Sequence, residues 1–116
     1  MKFIDELLKQ KKPLDVLADF RHHDQLKMDR YRISIQCSTG HYCTPRETLS
    51  VDKYNTMEIA LFYDKKWLNL RDKKLKAFPK YEELMRYCDD SSSSYPVFDY
   101  VPIELIEELY QYFLNI

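Results

Sequence analysis

A single glycine, Gly40, serves all 116 residues. Glycine takes left-handed backbone at no steric cost and lets a ligand approach the main chain closely. A chain with one glycine has no glycine-rich phosphate loop and no dinucleotide-binding turn of the G-x-G-x-x-G type. The signatures G-x-S-x-G, H-E-x-x-H and H-x-E with C-x-x-C are absent as well, so the hydrolases, metalloproteases and deaminases that carry them are set aside. The chain reads as a non-enzyme that needs no cofactor.

Gly40 lies within CSTGHYCTPRE, residues 37–47, beside Cys37, His41 and Cys43. The preferred reading is a turn through Ser38, Thr39 and Gly40, with Gly40 at positive φ, followed by a short extended piece leading to Pro45. Two sharper readings stand beside it. Cys37, His41 and Cys43, joined by Cys88, would make the Cys3His donor set of structural zinc, although no C-x2-4-C knuckle aims two thiolates at one ion. Cys43, with His41 and Arg46 close in sequence, would be an activated thiol, although residues i and i+2 of an extended chain point the same way whatever their role.

Residues 31–37, YRISIQC, alternate Tyr31, Ile33, Ile35 and Cys37 with Arg32, Ser34 and Gln36, the period of a half-buried strand. TMEIALFY, 56–63, is apolar on both faces and predicts a central strand. The 18 residues between them, 38–55, exceed a plain hairpin loop. KKWLNL predicts a third short strand and PVFDYV a fourth. Phe3, Ile4, Leu7 and Leu8 predict a short helix, with a second opened by Pro13 and carrying Leu14 and Leu17, and RHHDQLKMDR reads as a polar connection. PKYEELMRYC predicts a helix over 79–88 opened by Pro79. PIELIEELYQYFLNI predicts the last helix, with Pro102 at its first position and an apolar stripe of Ile103, Ile106, Leu109, Tyr110 and Phe113. The summed expectation is one α+β domain over 1–116: a helical segment at 1–21, a strand-rich core at 31–70, the 79–88 helix, and a C-terminal strand and helix at 97–114. Its sheet would be small and antiparallel, of three or four strands, with helices packed on one face.

An apolar share of 45% against a charged share of 32% suits a folded domain. No apolar run has the ~20 residues of a membrane helix, Asp5 and Glu6 interrupt what would be a signal-peptide core, and an odd number of cysteines completes no disulfide framework; a cytoplasmic location is expected. The net charge of −1 hides an uneven distribution. Lys65, Lys66, Arg71, Lys73, Lys74, Lys76 and Lys80 face Asp72 alone within 65–80, and with Trp67 they are a candidate nucleic-acid footprint. The acidic 81–116 region holds Asp89, Asp90, Asp99, Glu104, Glu107 and Glu108, a candidate surface for a basic protein partner.

Ten tyrosines are the strongest compositional oddity. Tyrosine offers broad rigid contact with a polar tip, and Tyr42, Tyr54, Tyr95 and Tyr100 fall in or beside expected loops, where they would serve docking. HYCTPRE, MEIALFY and PVFDYVPIELIEELY, in that order, resemble short proteins encoded by phages and mobile elements of low-GC bacteria. That resemblance implies an accessory factor that blocks a host defence component in the host cytoplasm, as anti-CRISPR inhibitors do. The expected partner is a protein, with nucleic acid as the alternative.

Overall fold

The computed structural model describes residues 1–10 and 20–116. Helix α1 covers Lys2–Lys9. Strands β1 (Leu26–Met28), β2 (Tyr31–Gln36), β3 (Thr56–Tyr63) and β4 (Lys66–Trp67) follow, with a 3-10 turn at Val51–Lys53. Then come short helices α2 (Lys73–Lys76) and α3 (Tyr81–Met85), strand β5 (Phe98–Pro102) and helix α4 (Ile103–Leu114). The second helix expected after Pro13 lies outside the described residues.

All pairings in the five-stranded sheet are antiparallel, which makes this the small α+β fold expected. β3 is its centre. One edge of β3 takes β2 in unbroken register from Tyr31↔Tyr63 to Gln36↔Glu58. The other edge is divided: β4 pairs at Phe62 and Tyr63, and β5 pairs at Thr56, Met57 and Ile59 across a bulge. The segment between β4 and β5 therefore leaves the sheet, carries α2 and α3, and returns to the same edge.

The period of two decides which residues meet the helices. Ile33, Ile35, Met57, Ile59 and Leu61 are buried, while Arg32, Ser34, Glu58 and Phe62 alternate with them and stay half-buried. α1 supplies Phe3 and Leu7 to the core, and α4 supplies Leu105, Ile106, Leu109, Tyr110 and Phe113. α1 packs on α4 and β1, α4 on β1 and β5, and α3 on β5. Burying large apolar side chains of this kind stabilises by about 1.5–3 kcal/mol each before the entropy of ordering them is counted.

Four expectations are corrected. Gly40 does not adopt positive φ; Asp29 (φ 61°), Asp64 (φ 52°) and Tyr100 (φ 55°) do. Asp29 and Asp64 sit in the β1–β2 and β3–β4 turns, where a short polar side chain tolerates left-handed backbone. The two turns abut: the Asp64 N–H donates to the Arg30 carbonyl at 2.7 Å, and the Arg30 guanidinium pairs with the Asp64 carboxylate at 2.5 Å. RHHDQLKMDR is not wholly a connection, because Leu26 and Met28 pair with Ile33 and Tyr31 as β1. Pro102 precedes α4 as its cap, ending β5, instead of opening the helix. The 79–88 helix is confined to Tyr81–Met85.

Candidate functional site: a tyrosine and carboxylate face

The turn after β2 is built from its own polar groups. The His41 N–H donates to the Ser38 carbonyl at 3.1 Å and the Cys43 N–H to the His41 carbonyl at 3.1 Å, a tight three-residue turn centred on Tyr42. Ser38 Oγ lies 2.6 Å from His41 Nδ1, with both side chains buried. Thr44 then bridges to Thr56 on β3, ahead of a cis Thr44–Pro45 bond. These contacts push Tyr42 outward at the end of the sheet.

β5 meets it there. The Tyr100 N–H donates to the Tyr42 carbonyl at 3.1 Å, and the two exposed rings stand with centroids 5.9 Å apart. Arg46 lies over the Tyr42 ring at 4.9 Å and donates from Nε to the Thr39 carbonyl. Tyr100 occupies left-handed backbone, an outlier for an aromatic residue that costs about 1–3 kcal/mol.

Carboxylates gather beside the pair. Asp99 is buried, and burial first, then a hydrogen bond to Asp89 and the charges of Asp89 and Glu58, pushes its pKa up to about 7. The Glu58 carboxyl is also raised by burial; Arg46 acts against this and Asp89 with it. Asp89 and Asp90 are exposed. A buried acid that holds its proton beside exposed Asp89, with Arg46 the opposing cation over Tyr42, gives this face a charge balance that a single proton adjusts.

The structure divides the other expected docking residues. Tyr54 is buried: its hydroxyl donates to the Glu47 carbonyl at 2.6 Å and accepts from the Leu49 N–H at 2.7 Å, so it organises the 47–54 loop and presents nothing for docking. Glu107 accepts from the Lys2 and Phe3 amides at 3.0 Å each and ties α1 to α4. Burial alone would raise its carboxyl; the hydrogen bonds from Gln111 and those two amides outweigh burial and hold it below the usual carboxylate range. Glu108 pairs with Lys80 at 2.8 Å, while Glu104 is exposed. Tyr95, 67% exposed, stands edge-on to Trp67 at 5.6 Å. Glu58 and Arg46 were not among the expected docking residues; an acid inside the apolar run MEIALFY was the available signal for Glu58.

The thiols do not converge. Cys37 follows β2, whereas Cys88 bridges to Phe98 outside β5. β3 and β5 lie between them, a lateral offset of about 14 Å at the usual strand spacing. Among the described residues no three His, Cys, Asp or Glu side chains could hold a metal ion. Burial raises all three thiols, Cys37 to about 11 even though Arg21 Nη2 approaches its sulfur at 3.5 Å, so none is poised as a thiolate. His41 is spent on Ser38, and the Cys43 thiol donates to the Ser38 carbonyl at 3.3 Å.

The basic segment is spread out. Lys65 and Lys66 are exposed at the β3–β4 turn, Trp67 packs against Phe62 at 4.6 Å with the rings tilted by 47°, and Arg71, Lys73, Lys74 and Lys76 are exposed on or before α2. Lys74 lies over the Tyr31 ring at 5.8 Å. No described helix is long and apolar enough to cross a membrane. Compared with protein-family models, curated proteins and solved structures, the chain matches none.

Proposed function

We propose that this chain is a small protein-binding factor that docks a basic segment of a partner protein on the face formed by Tyr42, Tyr100, Asp89 and Glu58. The observation that carries this reading is Tyr100, an aromatic residue kept in costly left-handed backbone with its ring exposed against Tyr42. Strain retained at a ring that stays largely exposed suits a contact residue, and tyrosines are over-represented among residues that dominate binding energy. The carboxylates supply charge complementarity and orientation. The resemblance to phage and mobile-element accessory proteins adds the finer reading, an inhibitor that acts by occupying a surface of a host defence component.

Affinity purification from bacterial lysate with the native protein and with the Tyr42→Ala/Tyr100→Ala variant tests the proposal. A protein partner retained by the first and lost by the second is the expected result, with each ring contributing about tenfold to affinity. Recovery of no protein partner by a folded native chain, or equal recovery by both, would sink it.

A further inference from the structure

A second surface lies away from those tyrosines. Between the stretch that follows β4 and the serine run 91–94 there is a cleft of about 470 Å³, walled by Trp67, Asn69 and Arg71 on one side and by Ser91 to Ser94 and Pro96 on the other. That volume is within the range of small-ligand sites. Its exposed wall is mostly polar, with Trp67, Leu68, Leu70 and Pro96 as the apolar members, and its parts come from chain segments twenty or more residues apart, brought together by the return of β5 to β3.

The groups available in it are specific. Trp67 is held on one side by Phe62 at 4.6 Å and meets the Tyr95 ring edge-on at 5.6 Å, so the indole that lines the cleft is part of an aromatic cluster and the exposed Tyr95 ring adjoins the cleft without lining it. Among the described residues the Arg71 guanidinium has no hydrogen bond or ion pair, and the hydroxyls of Ser91 and Ser94 have no partner. The backbone at Arg71 is tied by an Asx turn, in which the Arg71 N–H donates to Asn69 Oδ1 at 2.8 Å. Asp90, at the start of the serine run, accepts from Ser92 N and Oγ at 3.0 and 2.6 Å, which occupies the nearest carboxylate of that loop. Lys65 and Lys66 are exposed just upstream of the indole.

We infer that this cleft binds a nucleotide unit, with its base against Trp67 and its phosphate on Arg71 and the serine hydroxyls. Bases stack on aromatic side chains whatever their identity, and an unpaired guanidinium offers a planar fork that matches phosphate oxygens. A neutral sugar would satisfy the hydroxyls and leave the guanidinium unanswered. The shared chemistry, an aromatic base carrying a phosphate, fits a free nucleotide and a nucleotide within a single strand equally. This site goes beyond the docking face and does not depend on it.

Trp67 is the chain's one tryptophan, so its emission reports the cleft directly. AMP, UMP, adenosine, ribose 5-phosphate, inorganic phosphate and a short oligothymidylate are titrated separately against the full chain at low salt. Saturable quenching by AMP and UMP is expected, with adenosine, ribose 5-phosphate and phosphate weaker by about tenfold or more, and with Arg71→Ala weakening AMP by about tenfold. Oligothymidylate binding far more tightly than UMP, with a steep salt dependence, identifies a strand as the source; equal affinity identifies the free nucleotide. Because Arg71 is exposed, its replacement leaves the core intact, which circular dichroism checks. The inference is overturned if no probe quenches at concentrations up to about 5 mM, if adenosine or ribose 5-phosphate matches AMP, or if Arg71→Ala binds AMP as the native protein does.

Discussion

Ser38 Oγ and His41 Nδ1 lie 2.6 Å apart inside a turn that excludes water, Ser38 being fully buried and His41 4% exposed. The bond holds the only glycine-containing turn of the chain closed, and Tyr42 projects from it. Ser38→Ala leaves a buried ring nitrogen without this partner, at a cost of about 1–3 kcal/mol in stability. Urea unfolding of Ser38→Ala, His41→Phe and the double variant measures the coupling between them. A coupling energy below about 0.5 kcal/mol would show that the contact contributes nothing specific.

Asp99 carries a pH dependence of defined sign. Its carboxyl is protonated up to about 7 in the folded chain, whereas the unfolded group titrates near 3.8. The folded state therefore holds the extra proton, and this contribution to stability is full below 3.8 and fades as pH rises toward 7. Asp99→Asn keeps a neutral hydrogen-bonding group at every pH. Relative to the native chain it should gain stability, by up to about 4 kcal/mol, as pH is raised from about 4 to 8. Thermal melts at both ends of that range check it, and a constant difference between the two proteins refutes it.

The histidines act in the opposite direction. His23 and His41 are both lowered from 6.5 to about 4, chiefly by burial and then by the positive charges around Arg21 and His22. Neutral imidazole is the folded form, so its contribution is full above 6.5 and is lost as pH falls toward 4. Both His23 ring nitrogens are buried without a partner among the described residues. His23→Phe should stay within about 1 kcal/mol of the native protein near neutrality and overtake it as the solution is acidified. Parallel acid-unfolding curves for the two proteins would remove the assignment. Because Asp99 and the histidines oppose each other, the native protein alone is expected to show a shallow dependence.

Tyr100 offers a way to separate stability from binding. Glycine takes φ near 55° freely, so Tyr100→Gly should be more stable than Tyr100→Ala by about 0.5–1 kcal/mol while both lose the partner. Denaturant midpoints of the two variants supply the comparison. An alanine variant as stable as the glycine one would mean the backbone there is unstrained.

How far the sequence could be read depends on the range of the interaction concerned. The alternation of YRISIQ and the apolar stripe on Ile103–Leu114 are local repeats, and each produced its element. β1 is three residues long and exists because Leu26 and Met28 pair with β2, so its local sequence reads as a polar connection. Glycine was the wrong guide to positive φ, since aspartate at two hairpin turns and a bulged tyrosine took those conformations.

From the sequence alone came the elements that bury an apolar face, the antiparallel α+β class and the charge asymmetry, because these depend on neighbours a few positions apart. Tertiary structure decided what each exposed-looking group does. It assigned Tyr54 to a loop, Glu107 to the amides of α1 and Cys88 to the far side of β5, and it brought Tyr42 to Tyr100 and Trp67 to the serine run. All but the Tyr54 and Cys88 contacts join residues more than twenty positions apart, and their positions are set by strand register and the division of one edge of β3 between two strands, which no local pattern encodes.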